Sequence, residues 1–319
     1  MRYRPLGASG LMVSAVGLGC NNFGWRIDLA ASRGVVEAAL DAGVTLFDTA
    51  DMYGGGASES ILGELLARRR DDVVLATKFG LAVEGDPNGA DWGARGSRRY
   101  IRRAVEASLR RLRTDWIDLY QYHRPDGITP LEETLAALGE LVGEGKVRYI
   151  GSSNLAGWQV VEAAFVARAA GGPRYVSAQN EYSLLERGAE AELVPACARS
   201  GVGILPYFPL ASGRLTGKYR RGGGIPGGSR LEAWGGEITE QAFDTVEALE
   251  RYAQERSVSL LAVAIGGLAA QPGVTSVIAG ATSAEQVRAN VAAGEWQPSA
   301  DDLAALDEVA PHRRPVPRF

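Results

Sequence analysis

The sequence predicts an α/β protein of the (β/α)8 TIM-barrel class, with an N-terminal β-hairpin and long loops on the C-terminal face. Three observations predict it. Eight short β-branched runs alternate with longer amphipathic stretches, as sequential parallel strands joined by helical crossovers require. The 319 residues are 46% hydrophobic, enough for a large core. The signature of the competing doubly wound sheet is missing, because Gly17-Leu18-Gly19-Cys20-Asn21-Asn22 keeps only the first two glycines of its phosphate turn. Residues 1–319 are therefore read as one barrel domain.

The elements follow in order. Residues 2–14 read as a hairpin around Gly7 to Gly10, placed to plug the barrel floor. The strands are 13–19, 44–47, 73–77, 116–122, 147–151, 175–179, 202–206 and 276–280. Between them, 97–113 carries Ile101, Val105, Leu109 and Leu112 at helical spacing. Thr129-Pro130-Leu131-Glu132 reads as a capping box with proline at the first helical position. The helix it opens runs through Leu131, Leu135, Leu138 and Leu141 and stops at Gly143 and Gly145. Thr282 and Ser283 each head a capping box, with Glu285 and Gln286, so a helix N-terminus suited to anions is expected there. Two long Gly-rich loops, 80–96 and 213–239, follow strands three and seven and read as lids over the C-terminal face. The second is not a P-loop: three residues separate Gly213 from Gly217, and Tyr219 stands where Ser or Thr is needed. The Pro-rich tail 311–319 is not expected to be helical.

Composition narrows the function. Lys and Arg total 34 against 38 Asp and Glu, a net charge of −4, which gives no basic excess for nucleic acid. Arg68-Arg69-Arg70 and Arg110-Arg111 read as solvated helix faces. The start lacks an apolar signal core, and no apolar run reaches membrane-spanning length. The two cysteines, Cys20 and Cys197, and two histidines, His123 and His312, do not form a metal set; the expectation is a reduced, cytoplasmic protein without metal.

The residues at the strand ends are polar: Asn21 and Asn22, Asp48, Lys78, His123, Ser153 and Asn154, Gln179 and Asn180, Tyr207, and Thr282. A barrel gathers all these ends at one mouth, where its chemistry sits. Lys78 ends an apolar run and needs a partner, and Asp48, one strand over, is the obvious one. On those two residues alone, a structural salt bridge is as good a reading as catalysis. Tyr53 tips the balance, because a lysine beside a phenol lowers its ordinary value of ~10. Asp48, Tyr53, Lys78 and His123 then make a proton donor, with hydrogen-bond donors where an alkoxide forms from a carbonyl. No Ser-His-Asp or Cys-His set is at these tips, and Asp48 and Asp51 are too close for a glycosidase pair. A Schiff-base lyase using Lys78 is the chemical rival.

The segments FDTADMYGGGASESILGELL, VVLATKFG, DLYQYHRPD, VRYIGSSN, AQNEYSLLER, YFPLASGRLTGKY and GATSAEQVRAN, in this order and spacing, resemble the aldo-keto reductase family over nearly the whole chain. They resemble its branch of bacterial oxidoreductases and potassium-channel β-subunits. The resemblance implies a barrel with NADPH across its mouth and a small-molecule carbonyl substrate. It implies Tyr53 as general acid/base, assisted by Asp48, Lys78 and His123. It also implies that Ser153, Asn154 and Gln179 hold the nicotinamide carboxamide and that Tyr207 stacks on its ring. Pro209, Leu210, Ala211, Ser212 and Gly213, with Lys218, match the pyrophosphate loop; Gly280, Thr282, Gln286 and Asn290 match the adenosine end. Because no Lys or Arg occurs at 280–283 or 286 to grip a 2′-phosphate, NAD(H) stays open beside NADP(H). Phe23, Trp25, Trp92 and Arg124 are candidates for the substrate wall, with a salt bridge as the structural alternative for Arg124. A cofactor-binding regulatory subunit is the rival from a different functional class.

Overall fold

The structure is a computed structural model that describes residues 1–83, 92–233 and 236–311. Strands β1 (Tyr3–Pro5) and β2 (Met12–Ser14) pair antiparallel, with Tyr3 opposite Ser14. Eight further strands form a parallel sheet: β3 (Val16–Gly19), β4 (Leu46–Asp48), β5 (Val74–Phe79), β6 (Ile117–Tyr122), β7 (Val147–Ser153), β8 (Tyr175–Gln179), β9 (Gly203–Ile204) and β10 (Val277–Gly280). Their order is β10-β3-β4-β5-β6-β7-β8-β9. The two ends of that series meet: Ile204 N donates to Gly273 O at 2.8 Å, Thr275 N to Ile204 O at 2.9 Å and Ile278 N to Pro206 O at 2.9 Å. This is the (β/α)8 barrel that the alternation of runs predicts.

The expected first strand, 13–19, is divided. Its start belongs to the hairpin and only Val16–Gly19 enters the barrel. Ser14 makes the break by donating its Oγ to Val16 O at 2.7 Å and accepting from Thr45 N at 3.1 Å.

Helices α1 (Leu29–Asp41), α2 (Ala57–Leu66), α3 (Arg98–Leu112), α4 (Leu131–Gly143), α5 (Gly157–Ala170) and α6 (Leu193–Ser200) follow β3 to β8 in turn. A short α7 (Arg230–Ala233), then α8 (Glu240–Glu255) and α9 (Leu260–Ala269), lie between β9 and β10; α10 (Ala284–Ala293) and α11 (Ala300–Val309) follow. Helix α3 starts where expected, with Ser97 Oγ accepting from Tyr100 N, and ends in a left-handed Arg113. The capping box expected at Thr129 does not form. Thr129 Oγ1 donates to Asp126 Oδ2 at 2.8 Å instead, and Pro130 occupies the cap without a side-chain bond. At α10 the cap is Ser283, whose Oγ accepts from Gln286 N at 3.3 Å; Gln286 Oε1 turns back to Thr282 N at 2.9 Å.

Alternation along the strands sorts side chains into two cores. Leu46, Ala76, Leu119, Val176, Leu205 and Ile278 face inward and cluster with Leu6, Leu11 and Val13 of the hairpin segment. The hairpin thus stoppers the floor, as the sequence suggests, and Arg4 Nη1 pins it to Ala269 O (2.6 Å) and Val274 O (3.0 Å). Burial of each such leucine contributes about 1.5–3 kcal/mol. Phe47, Leu75, Phe79 and Tyr120 face outward into the larger core beneath the helices. Among the described residues no helix is long and apolar enough to cross a membrane. The tail 312–319, with His312, lies outside the described residues, as do residues 84–91 of the 80–96 loop.

Candidate active site

The inward register that buries Leu46 and Ala76 carries Asp48 and Lys78 inward one step later, at the C-terminal ends of β4 and β5. Lys78 is fully buried, at 0% exposure. Its ammonium directs its three donors at Asp48 Oδ2 (2.7 Å), the Thr49 carbonyl (2.8 Å) and Tyr53 Oη (3.4 Å). Burial lowers the lysine's proton affinity, but the Asp48 carboxylate and Tyr53 more than offset it, so the ammonium is held above its ordinary range. The other carboxylate oxygen, Asp48 Oδ1, accepts from Gln121 Nε2 (3.1 Å) and Gln179 Nε2 (2.8 Å). A polar layer of four side chains therefore lies across the barrel above the apolar floor.

Tyr53 heads a 3-10 turn, Tyr53–Gly56, whose glycines have positive φ. The half-buried phenol lies beside Lys78, whose Nζ is 5.0 Å from the ring centroid. Its proton affinity differs from the sequence expectation. Lys78 pulls it down as expected, but burial outweighs that pull and Asp48 opposes it, so the net direction is upward. His123, just past β6, meets Tyr53 edge to face with ring centroids 6.0 Å apart. Burial, then the Lys78 and Arg124 cations, hold its imidazole well below its usual value. It is therefore neutral at pH 7 and keeps one N–H donor. His123 Nδ1 has no hydrogen-bond partner among the described residues.

Asp48, Tyr53, His123 and Gln179 line a cavity of about 760 Å3 at the C-terminal mouth. The structure brings most of the expected cofactor residues to it. Ser153, Asn154, Gln179 and Tyr207 stand on one side. Their polar atoms are already engaged: Asn154 Nδ2 donates to His123 O (3.0 Å) and Ser153 Oγ (3.1 Å), and Tyr207 Oη donates to Asn154 Oδ1 (2.8 Å). A ligand carboxamide would enter by exchanging into this network. Pro209, Leu210, Ser212, Gly213 and Lys218 form a second wall. In its turn the N–H groups of Ala211, Gly213 and Leu215 are used internally, so charge comes mainly from Lys218. The missing Cβ of Gly213 lets that ammonium fold back: a Cβ there would stand 3.0 Å from Lys218 Nζ. Gly280, Thr282, Gln286 and Asn290 complete the far end.

Two substrate-wall candidates are misplaced. Phe23 is at 0% exposure in the outer core, because the tight turn after Cys20 points its ring inward. Trp92 is 77% exposed and stacks under the Arg99 guanidinium, 4.6 Å from its ring centroid, instead of lining the cavity. Trp25 and Arg124 do line it.

Sequence reasoning missed three residues. Gln121 holds Asp48 and was findable, since it lies two positions before His123 on the inward face. Arg26 and Arg230 line the cavity and cross it reciprocally. Arg26 Nη2 donates to Gly228 O, and Arg230 Nη2 donates to Asn21 Oδ1 (2.9 Å) and Asn22 Oδ1 (2.7 Å). Arg230 also reaches the end expected to take adenosine: a Cβ on Gly280 would lie 3.7 Å from its Nη2. The cation absent from 280–283 is supplied by the long loop. Arg26, Arg124, Lys218 and Arg230 thus line a cavity whose carboxylate, Asp48, is paired with Lys78.

A barrel with this buried lysine, acid and phenol under a cation-rimmed mouth has the site of an oxidoreductase of carbonyl compounds. The family model described as the Aldo/keto reductase family matches residues 15–311, and the chain belongs to that family. An uncharacterized oxidoreductase of Bacillus subtilis, YrpG, is 38% identical over 98% of this chain and 96% of its own length. A probable voltage-gated potassium channel subunit beta of rice, Oryza sativa, is also 38% identical, over 92% of this chain and 91% of its own length. L-glyceraldehyde 3-phosphate reductase of Escherichia coli is 34% identical, over 97% of this chain and 92% of its own length.

Proposed function

We propose that the protein reduces an aldehyde, ketone or sugar carbonyl to the alcohol, reversibly, with NADPH or NADH as reductant and Tyr53 as proton donor. The observation that carries this reading is the Lys78 ammonium, which contacts Asp48 and Tyr53 at once beneath an open cavity.

The residues present fit an anionic dinucleotide. Lys218 suits the pyrophosphate and Arg230 the adenosine end, while Ser153, Asn154 and Gln179 suit a carboxamide and Tyr207 a ring face. Arg230 beside Gly280 favours NADP(H) over NAD(H). When bound, the nicotinamide supplies a hydride to the carbonyl carbon. Tyr53 delivers its proton to the carbonyl oxygen as negative charge builds there. Neutral His123 donates a hydrogen bond to the same oxygen. Lys78 stabilises the phenolate left behind, and Asp48, held by Gln121 and Gln179, fixes the ammonium. Arg124 at the rim suits an anionic substituent on the substrate. The chain works as one barrel domain in the cytoplasm.

The test is titration of the purified protein with NADPH and NADH by fluorescence, followed by turnover on a carbonyl panel that includes L-glyceraldehyde 3-phosphate. Failure to bind either nucleotide overturns the reading. A second reading, a cofactor-binding regulatory subunit, is favoured by the similarity to plant potassium channel β-subunits. Nucleotide binding without turnover, together with capture of a partner, separates it from the first. The Schiff-base reading loses support from the lysine itself. Imine formation needs a neutral amine, and Lys78 is buried, fully contacted and held protonated.

A further inference from the structure

We propose that Glu59 on α2 and Arg111 on α3, both outside the cavity, are positioning residues that set the distance between Tyr53 and Lys78. The inference rests on the reading of Tyr53 as proton donor. Tyr53 precedes three consecutive glycines with φ of 58°, 62° and 94°. Glycine leaves the backbone least restrained, so this turn does not fix its own geometry. Its neighbours fix it. Glu59, two residues into α2, is fully buried at 0% exposure. Its Oε1 accepts from Thr77 Oγ1 at 2.6 Å, and its Oε2 accepts from Arg111 Nε at 2.6 Å.

Each contact reaches a part of the site. Thr77 is the residue before Lys78 in β5, and its side chain bonds outward to Glu59 while Lys78 turns inward. Arg111 packs against the last glycine of the Tyr53 turn: a Cβ on Gly56 would stand 2.8 Å from Arg111 Cδ and 3.0 Å from its Nε. Helix α3 comes this close because Gly63 of α2 has no side chain; a Cβ there would lie 2.3 Å from Arg111 O. On the other side of α2, Ser58 Oγ donates to Cys20 O at 2.8 Å and lies 2.8 Å from Thr49 Oγ1. One buried carboxylate therefore joins the strand that carries the ammonium to the guanidinium that backs the phenol's turn. A buried ion pair is weak evidence for stability, and its better-attested use is to specify one arrangement.

The experiment compares wild type with Glu59→Gln and Arg111→Lys, two mild changes at separate places so that one folded variant suffices. Small displacements of a reacting group weaken catalysis by one to two orders of magnitude. The expected result is a fall in kcat of about 10-fold or more with nucleotide Kd and carbonyl KM near wild type. The alkaline limb of the reduction profile should also move to higher pH, because Lys78 lowers the phenol's proton affinity and a displaced Tyr53 feels it less. Amide hydrogen exchange over residues 53–56 should quicken, a readout independent of turnover. Folded variants with wild-type kcat, pH limb and exchange rates, changed only in melting temperature, would overturn the proposal. Wild type without carbonyl turnover would instead overturn the proposed function, and the exchange rates would still decide whether Glu59 and Arg111 hold the turn.

Discussion

Tyr53 Oη lies 3.4 Å from Lys78 Nζ, while Asp48 Oδ2 lies 2.7 Å from the same nitrogen. The ammonium is held tightly by the acid and loosely by the phenol. That asymmetry suits a group that must keep its own proton while its neighbour gives one up.

Removing the phenolic hydroxyl tests the proton donor. Tyr53→Phe should lower carbonyl reduction by about 10²–10⁴-fold, the usual contribution of general acid catalysis, with NADPH affinity nearly unchanged. Steady-state kinetics beside a fluorescence titration reads both. Turnover near wild type would remove Tyr53 from its role. In the nucleotide-free protein, the ultraviolet difference titration between wild type and this variant should place Tyr53 above the ordinary phenol range, because burial raises it.

Breaking the buried pair should cost stability as well as activity. Lys78→Met leaves Asp48 buried with only amide donors, and a loss of about 3–5 kcal/mol is expected in urea unfolding. The pH dependence follows from the raised affinity of Lys78 in the folded state. Its contribution is complete below the unfolded value, about 10.4, and disappears as pH rises through the higher folded value. The wild type should therefore lose stability in that alkaline window more steeply than the variant. Parallel curves would mean that the ammonium is not held as described.

His123 works in the opposite direction. Its folded value is depressed, so below about pH 6.5 the unfolded chain takes up a proton that the folded one refuses. Stability should fall toward acid from that point at about 1.4 kcal/mol per pH unit, until the folded histidine also protonates. His123→Gln should remove that slope. An unchanged difference in unfolding free energy between pH 7 and pH 5 would show that the imidazole is accessible and unperturbed.

Arg230→Leu should weaken NADPH binding by about 10–100-fold, the equivalent of one charge-assisted hydrogen bond of about 1.5–3 kcal/mol. NADH binding should fall by much less. Equal losses for both nucleotides would place Arg230 away from any 2′-phosphate.

The strand-end chemistry was legible because period 2 is rigid. Once Leu46 and Ala76 face inward, Asp48 and Lys78 must as well, and Gln121 and His123 are related in the same way. Arg230 was not legible: it meets Asn22 across 208 residues from within a Gly-rich loop that has no periodicity to read. The aromatic wall failed for a related reason. Phe23 and Trp25 are two residues apart in an irregular turn, and only the fold sends one ring into the core and leaves the other at the cavity. The sequence could pair Lys78 with Tyr53 and give the sign of that influence, but not the depth of burial that opposes it. The capping box at Thr129 was outcompeted by Asp126, whose carboxylate lies three residues upstream and takes both the Thr129 hydroxyl and its amide.

Among the described residues, the stoppered floor leaves the barrel open at its mouth. Leu6, Leu11 and Val13 pack at the end opposite the mouth, against the inward apolar side chains of Leu46, Ala76, Leu119 and Ile278. The cavity that Tyr53 lines at that mouth is also where a carbonyl compound would enter on the proposed reading. If Tyr53 gives up its proton as proposed, the replacement must wait until the alcohol leaves, so re-arming the acid and emptying the chamber would become a single event.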